Sequence, residues 1–529
     1  MDAESSVEPV ADVIVVGSGF GGAVAALRLA EQGRRVLVLE QGRRHSRADF
    51  EAARRDPRRY LWLPELGLRG FFWQRVFAHV GIIGGSGVGG GSIVWAGVLL
   101  EPEEEFFTDR AWPNSEKGWR AELAEHYGTA ARMLGRTIAP FSGPMDEHLR
   151  SVSRALGVES TYGPTPMAIY FGDEGATVPD PFFGGDGPDR TGCRLCGGCL
   201  IGCPYGSKNT LDLNYLWLAE QRGAEIRVEQ HVTSVIALAG GDYEVRLGSG
   251  ERLRAPEVVL AAGVLGTVEL LFRSRTNGGL PRVSDRLGDH VRTNSEAITA
   301  VLADDVDVDL TRGPTISSEF YPDDSTHVTQ NRYVGGWHMR FQVGPLVDGA
   351  DPRLRRRSAA AALLRNPARQ IRTMFARNFI ERLSVFTVMQ NVESEIRLDY
   401  ARSPIRPWRK VLRSRAVAGR RAPSYLPQAN AVARAFAESI GGRPLNLLLE
   451  SIGGKSITAH ILGGAAIGSD ADHGVIDTDH QVFGHPGLYV VDGSAIPANV
   501  GVNPSLTITA MAERFAARYA ARTESRTTT

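Results

Sequence analysis

The sequence predicts an α/β protein: a Rossmann-type nucleotide-binding domain joined to a second domain in which a β-sheet is flanked by helices. Three observations predict it. The chain has 529 residues, more than one simple core accommodates, so two closely packed domains are expected. It opens with a complete βαβ pattern. A glycine-dense segment, 81–100, then runs into an apolar stretch.

The opening pattern starts with ADVIVVG, a β-branched run of the kind that forms a buried parallel strand. Gly17-Ser18-Gly19-Phe20-Gly21-Gly22 follows and satisfies G-x-G-x-x-G. AVAALRLAEQG then reads as a helix stopped at Gly33, and RVLVLEQG as the second strand. Glu40 stands at the end of that strand, eighteen residues after Gly22. A lone glycine motif is weak, but here the strand before it, the helix after it and the acid beyond give it the right context. Gly17 makes the tight turn, Gly19 admits the pyrophosphate and Gly22 allows close helix–strand contact. The helix N-terminus offers free N–H groups to the phosphates beside Phe20. Glu40 is placed to accept from the ribose hydroxyls.

In GIIGGSGVGGGSIVWAGVLL the glycines, Gly87, Gly89, Gly90 and Gly91 among them, let backbone pass close to a cofactor, and Ser92 ends the run. Residues 110–185 read as mixed helix and loop. LDLNYLWLAEQRG reads as a helix. AEIRVEQHVTSVIAL, which contains Val232, reads as a strand of period two, and EVVLAAGVLG as a buried strand entering a turn. From 295 to 450 the pattern is less regular, with SVFTVMQNVESEIRLDY as a candidate strand region.

Formal net charge is zero, which argues against nucleic acid as a partner. The neutral total hides a local excess: residues 351–425 hold eighteen basic and five acidic side chains. That tract reads either as a solvated basic surface or as a face attracted to anionic lipid. The N-terminus lacks the basic and apolar regions of a signal peptide. No apolar run approaches the ~18 residues of a membrane span. The expected location is cytoplasmic, free or resting on a membrane surface.

All four cysteines fall in Cys193-x2-Cys196-x2-Cys199-x3-Cys203-Pro204, the spacing of a bacterial ferredoxin cluster run. An iron–sulfur cluster, a zinc site and metal-free reduced thiols all remain open on this spacing.

Near the C-terminus, SITAHILGG carries His460. GLYVVDGSAIPANVGVNPSLTITA carries Asp492, Gly493 and Asn503, the last before a helix with Pro504. A cap at that helix is one role for Asn503. His473, His480 and His485 lie in polar turns and read as structural. A nucleotide fingerprint at one end and this His/Asn segment at the other resemble the glucose–methanol–choline (GMC) family of flavin-dependent alcohol oxidoreductases. The asparagine at 503 is most similar to its cholesterol oxidase branch.

The resemblance implies FAD, held non-covalently, in a domain assembled from 1–109, 186–294 and 455–529. A substrate-binding or cap region would comprise 110–185 and 295–454. It implies oxidation of a secondary alcohol, most closely a 3β-hydroxysteroid, by hydride transfer to flavin N5. His460 would orient the hydroxyl and manage its proton, Asn503 would support the substrate oxygen and the flavin, and Glu381, before a strand, would act as the base of a double-bond shift. The substrate would be a small apolar alcohol, and the acceptor either O2 or an electron-transfer partner fed by a cluster at the cysteines. A non-steroid alcohol, a lyase holding FAD structurally and an electron-transfer module are the alternatives.

Overall fold

The computed structural model describes residues 8–335, 337–404 and 406–527. Two sheets organise it. The first is a parallel five-stranded sheet. Val13–Val16 lies at its centre between Val36–Leu39 and Glu257–Leu260, with Glu225–Arg227 and Leu488–Val490 at the edges. Both faces are covered, so the central strands are apolar throughout and fully buried. The helix Phe20–Glu31 packs on this sheet and against the C-terminal helix Ser505–Thr527. Arg28 seals that contact with an ion pair to Glu513, which also accepts from Tyr215 at 2.6 Å. Among the described residues no helix is long and apolar enough to cross a membrane.

The second sheet has seven strands. Its centre is antiparallel: Ala297–Ala303 between Gly442–Leu447 and Leu383–Gln390, then Thr326–Asn331 and Ser318–Asp323. One face, through Phe320, Val328, Phe386 and Val388, packs on the helix Pro427–Ile440 around Val432 and Phe436. The other face looks across at the first sheet.

Two sequence stretches read as single strand regions divide in the structure. AEIRVEQHVTSVIAL becomes Glu225–Arg227 and Val232–Ala237, which belong to different sheets. The chain turns between them at Glu229, whose φ is +58°. SVFTVMQNVESEIRLDY likewise becomes Leu383–Gln390 and Ile396–Arg402. Alternation alone does not locate such a corner, because each half keeps the period of a strand.

Candidate active site

A cleft of about 1710 Å³ separates the two sheets. It exceeds the ~300–1,000 Å³ of an ordinary small-ligand pocket and suits a dinucleotide with a substrate beside it. Its nucleotide end is built by the glycine turn. Gly17 takes φ +97°, and a Cβ there would sit 2.4 Å from Ala261 O. A Cβ on Gly22 would lie 2.1 Å from Gly17 O, so that position admits no side chain. Gly19 differs: nothing lies within 4 Å of its would-be Cβ, and it faces the open cleft at the helix start. Phe20 borders the same space and meets Trp95 edge to face at 5.0 Å.

Glu40 is buried at this end. Its carboxylate accepts from Ser18 Oγ at 2.6 Å and from the Gly42 N–H at 2.8 Å, with longer bonds from the Ser18 and Gly87 N–H groups. Burial pushes its pKa up. Ser18 Oγ in turn accepts from the Gly89 N–H at 3.1 Å. Glu40 and Ser18 therefore tie the two glycine loops together, a role for Ser18 that the motif does not display.

Of the second glycine loop, Gly90 and Gly91 line the cleft. Gly87, Gly89 and Ser92 are not among the residues that line it. Ser92 Oγ donates to Gly89 O at 2.7 Å and accepts from the Leu211 N–H, so it is spent on the turn. Val232, Asp492 and Gly493 border the cleft. Asp492 is buried and its pKa raised by that burial. It accepts from the Ser494 N–H at 2.8 Å and from Thr267 Oγ1, tying the end of the returning strand to the helix Gly263–Thr276.

The far end of the cleft brings together His460, Asn503 and a residue sequence reasoning missed, Glu296. His460 Nδ1 lies 2.8 Å from Glu296 Oε1, and His460 Nε2 lies 3.2 Å from Asn503 Nδ2. Glu296 also accepts from Thr458 Oγ1 at 2.5 Å. A carboxylate accepts, so the ring proton sits on Nδ1 and the Nε2 lone pair faces Asn503 and the cleft. Asn503 does not cap the C-terminal helix: its Oδ1 is buried without a partner, and the helix begins at Ser505. Glu296 sits directly before Ala297–Ala303 in RTNSEAITA, where no motif marks it. The substrate side of the cleft is lined by Val98, Ile298 and Val385, with Thr329, Asn331 and Thr387 as polar points. Asn331 Nδ2 donates to Thr387 Oγ1 at 2.9 Å.

Glu381 is not part of this site. It is exposed and does not line the cleft. Its strand enters the sheet from the end remote from His460, so the expected base role is not available to it. His473 is exposed on Asp470, and His480 is buried with Nδ1 donating to Val490 O.

The cysteines surround one small cavity below the cleft. All four are free. Among the described residues no group of three or more His, Cys, Asp or Glu is arranged to hold a metal ion. Of the readings open for Cys193, Cys196, Cys199 and Cys203, the cluster and the zinc site gain no support from this arrangement. Burial pushes the Cys193 and Cys199 thiols up. Arg54 donates to Cys196 Sγ at 3.4 Å. Buried Lys208, its pKa lowered to about 8 by desolvation, donates to the carbonyls of Cys199, Ile93 and Trp95. The turn thus braces the wall behind Trp95.

The comparisons with known proteins agree with this arrangement. A GMC oxidoreductase model matches residues 394–512, and an FAD-binding domain model matches residues 12–50. The chain is 41% identical over 521 residues to a cholesterol oxidase of Acinetobacter baumannii, covering 95% of this chain and 93% of the relative. This chain belongs to the GMC oxidoreductase family. It is also 42% identical to a cholesterol oxidase of Mycobacterium tuberculosis (strain CDC 1551 / Oshkosh), covering 97% of this chain and 91% of that one. A variant of the formate oxidase of Aspergillus oryzae RIB40 shares the fold, with TM-score 0.62 at 14% identity, covering 97% and 99% of the two chains.

As a GMC oxidoreductase, the protein is an FAD-dependent enzyme acting on CH–OH groups. The cleft fits that cofactor by observations of its own. Gly19 leaves an open cradle at a helix N-terminus. Ser86 Oγ, Trp95 Nε1 and Asn503 Oδ1 are buried without partners along one cleft. Buried polar atoms are costly to leave unpaired, so three together indicate a ligand that satisfies them.

Proposed function

We propose that this protein oxidises the secondary alcohol of a 3β-hydroxysteroid to the ketone, with O2 as acceptor. The observation that carries the reading is the Glu296–His460–Asn503 chain, set at the inner end of a cleft with a largely apolar substrate side. The full-length similarity to two cholesterol oxidases supports the substrate class.

Bound FAD supplies the acceptor for the carbinol hydride. The chain's own residues manage the rest. His460 Nε2 accepts the hydrogen bond of the substrate hydroxyl and takes its proton as the carbon–hydrogen bond breaks. Glu296 holds the ring by its Nδ1–H and stabilises the imidazolium that forms. Asn503 Nδ2 steadies the ring or the substrate oxygen, and its unpaired Oδ1 is left for the flavin. Apolar walls keep water from the reacting carbon and hold a rigid ring system. No isomerisation base is assigned, since Glu381 lies outside the cleft. O2 is favoured over a cluster-fed partner by the similarity to two cholesterol oxidases.

Mixing the oxidised holoenzyme anaerobically with a 3β-hydroxysterol tests this. Bleaching of the flavin bands, with the 3-ketosteroid as product, is expected. Bands untouched by the sterol but bleached by a linear or sugar-derived alcohol would overturn the steroid assignment and leave the alcohol chemistry standing.

A further inference from the structure

Three cleft residues stand at alternate positions of one segment: Thr329, Asn331 and Tyr333. Between the last two, Arg332 turns the other way, into a buried ion pair with Asp146 at 2.6 Å. The three therefore present one face to the cleft. Strand register fixes how far that row reaches. Asn331 pairs with Val385, and Val385 with Ala300, four residues past Glu296. Tyr333 is two residues further on, which puts it roughly 20 Å from Glu296 at the rise of a strand. Along this row Ile298, Val385 and Leu447 make the wall largely apolar.

The end of the row remote from His460 is polar again. Val334, next to Tyr333, packs in one cluster with Tyr60, and a Cβ on Gly335 would lie 2.9 Å from Arg54 O. The segment 54–60 thus faces the segment 333–335, and Tyr60 lines the cleft beside Tyr333. Burial pushes the Tyr333 hydroxyl up to about 12, and burial with Tyr333 nearby raises that of Tyr60. Both therefore remain protonated donors. Neither hydroxyl has a hydrogen-bond partner among the described residues. Two half-buried donors at one end of an apolar cleft mark where an acceptor belongs. The local charge selects the acceptor. Residues 51–60 hold four arginines and two acids. Arg54 and Arg55 both line the cleft and share one carboxylate, Glu51, at 3.7 and 3.6 Å. Glu65 also borders the cleft, but its hairpin is tied through Arg69 to Glu229, at the nucleotide end.

We propose that the cleft takes an alcohol bearing a carboxylate at the end remote from its carbinol, held by the Tyr60 and Tyr333 hydroxyls in the field of Arg54 and Arg55. The inference deepens the steroid reading and rests on it: the substrate is then a 3β-hydroxysteroid whose side chain ends in a carboxylate. The carbinol meets His460, the ring system lies along the apolar wall, and the carboxylate accepts from the two phenols. Hydrogen bonds to a charged acceptor are the stronger kind, so this end discriminates against an uncharged side chain.

Steady-state oxidation of 3β-hydroxycholenoic acid and of its methyl ester by the holoenzyme tests it, since the two differ only at that group. The acid is expected to show a kcat/KM about tenfold or more above that of the ester, chiefly through KM. Tyr60→Phe/Tyr333→Phe keeps both rings and should lower the acid-to-ester ratio about tenfold. Arg55→Glu, at an exposed side chain, should lower it about threefold and keeps the test valid if the double variant folds poorly. A ratio near one in the parent enzyme, or a ratio that neither variant lowers, overturns the proposal and leaves steroid oxidation standing. Oxidation of neither steroid, with the flavin bleached by a linear alcohol, overturns the steroid reading itself.

Discussion

The two sheets that enclose the cleft are built on opposite rules. The parallel sheet is apolar on both faces and meets the cleft through backbone: a glycine turn, a helix N-terminus, a returning strand. The antiparallel sheet packs one face on a helix and meets the cleft through side chains of the other, Thr329, Asn331, Val385 and Thr387 among them. A site made of backbone tolerates few substitutions, since a Cβ on Gly17 or Gly22 has nowhere to go. A site made of side chains is re-cut by exchanging them, with the sheet left intact. The chain thus pairs a sterically fixed half with a more adjustable one, and the residues proposed to react come from where they meet.

The sharpest way to break that division is at the junction. His460→Ala should slow anaerobic flavin reduction by roughly 100- to 10,000-fold with FAD still bound, the range for losing an acid–base group. An unchanged stopped-flow rate would falsify its role. Glu296→Gln keeps size but gives Nδ1 an amide that need not accept its proton. A loss of about a hundredfold or more is expected, with a shifted pH–rate profile. A loss without any change in the pH profile would demote Glu296 to a packing residue.

Acid should separate the two halves. His45, His480 and His485 are buried beside the first sheet, and burial lowers their pKa values to about 4, 3 and 4. Each is neutral in the native state and would bind a proton near pH 6.5 once unfolded. Below pH 6.5 the unfolded chain therefore holds more protons, so stability present above that pH is lost as pH falls toward 4. Release of FAD fluorescence is expected to precede the loss of the antiparallel sheet's circular dichroism. Simultaneous loss would show the halves to be one cooperative unit.

Milder changes should follow on the antiparallel side. Asn331→Leu and Thr387→Val are expected to alter KM by about tenfold with kcat little changed, since both line the cleft on the antiparallel side, outside the Glu296–His460–Asn503 chain. A fall in kcat alone would place them in the chemistry. Glu381→Gln should do least: stability within about 0.5 kcal/mol of the parent and the same product ratio by chromatography. A lost activity there would reinstate the base that the geometry removes.

The same contrast explains what the sequence discloses. Gly17, Gly22 and the VIVV strand are legible because steric exclusion and two-sided burial leave few residue choices. His460 and Asn503 are legible through resemblance, and the structure joins them across 43 residues of sequence separation. Glu296 is not legible, because its meaning depends on a partner 164 residues away. Glu381 misleads for a related reason: an acid before a strand looks the same at either end of a sheet. The cysteine spacing matches a cluster run, yet the turn is occupied by an arginine and a lysine that hold it to the cleft wall.

One feature of the first sheet also governs how the enzyme comes into being. Val13–Val16 is made long before the edge strand Leu488–Val490 and before Glu513, the partner of Arg28. At about 5–20 residues per second, the early strands wait roughly half a minute to a minute or more for their final neighbours. The parallel sheet therefore stays incomplete until Leu488–Val490 has been made. A ribosome stalled before Leu488 would display the open apolar edge of Glu257–Leu260, an edge that invites pairing with another chain.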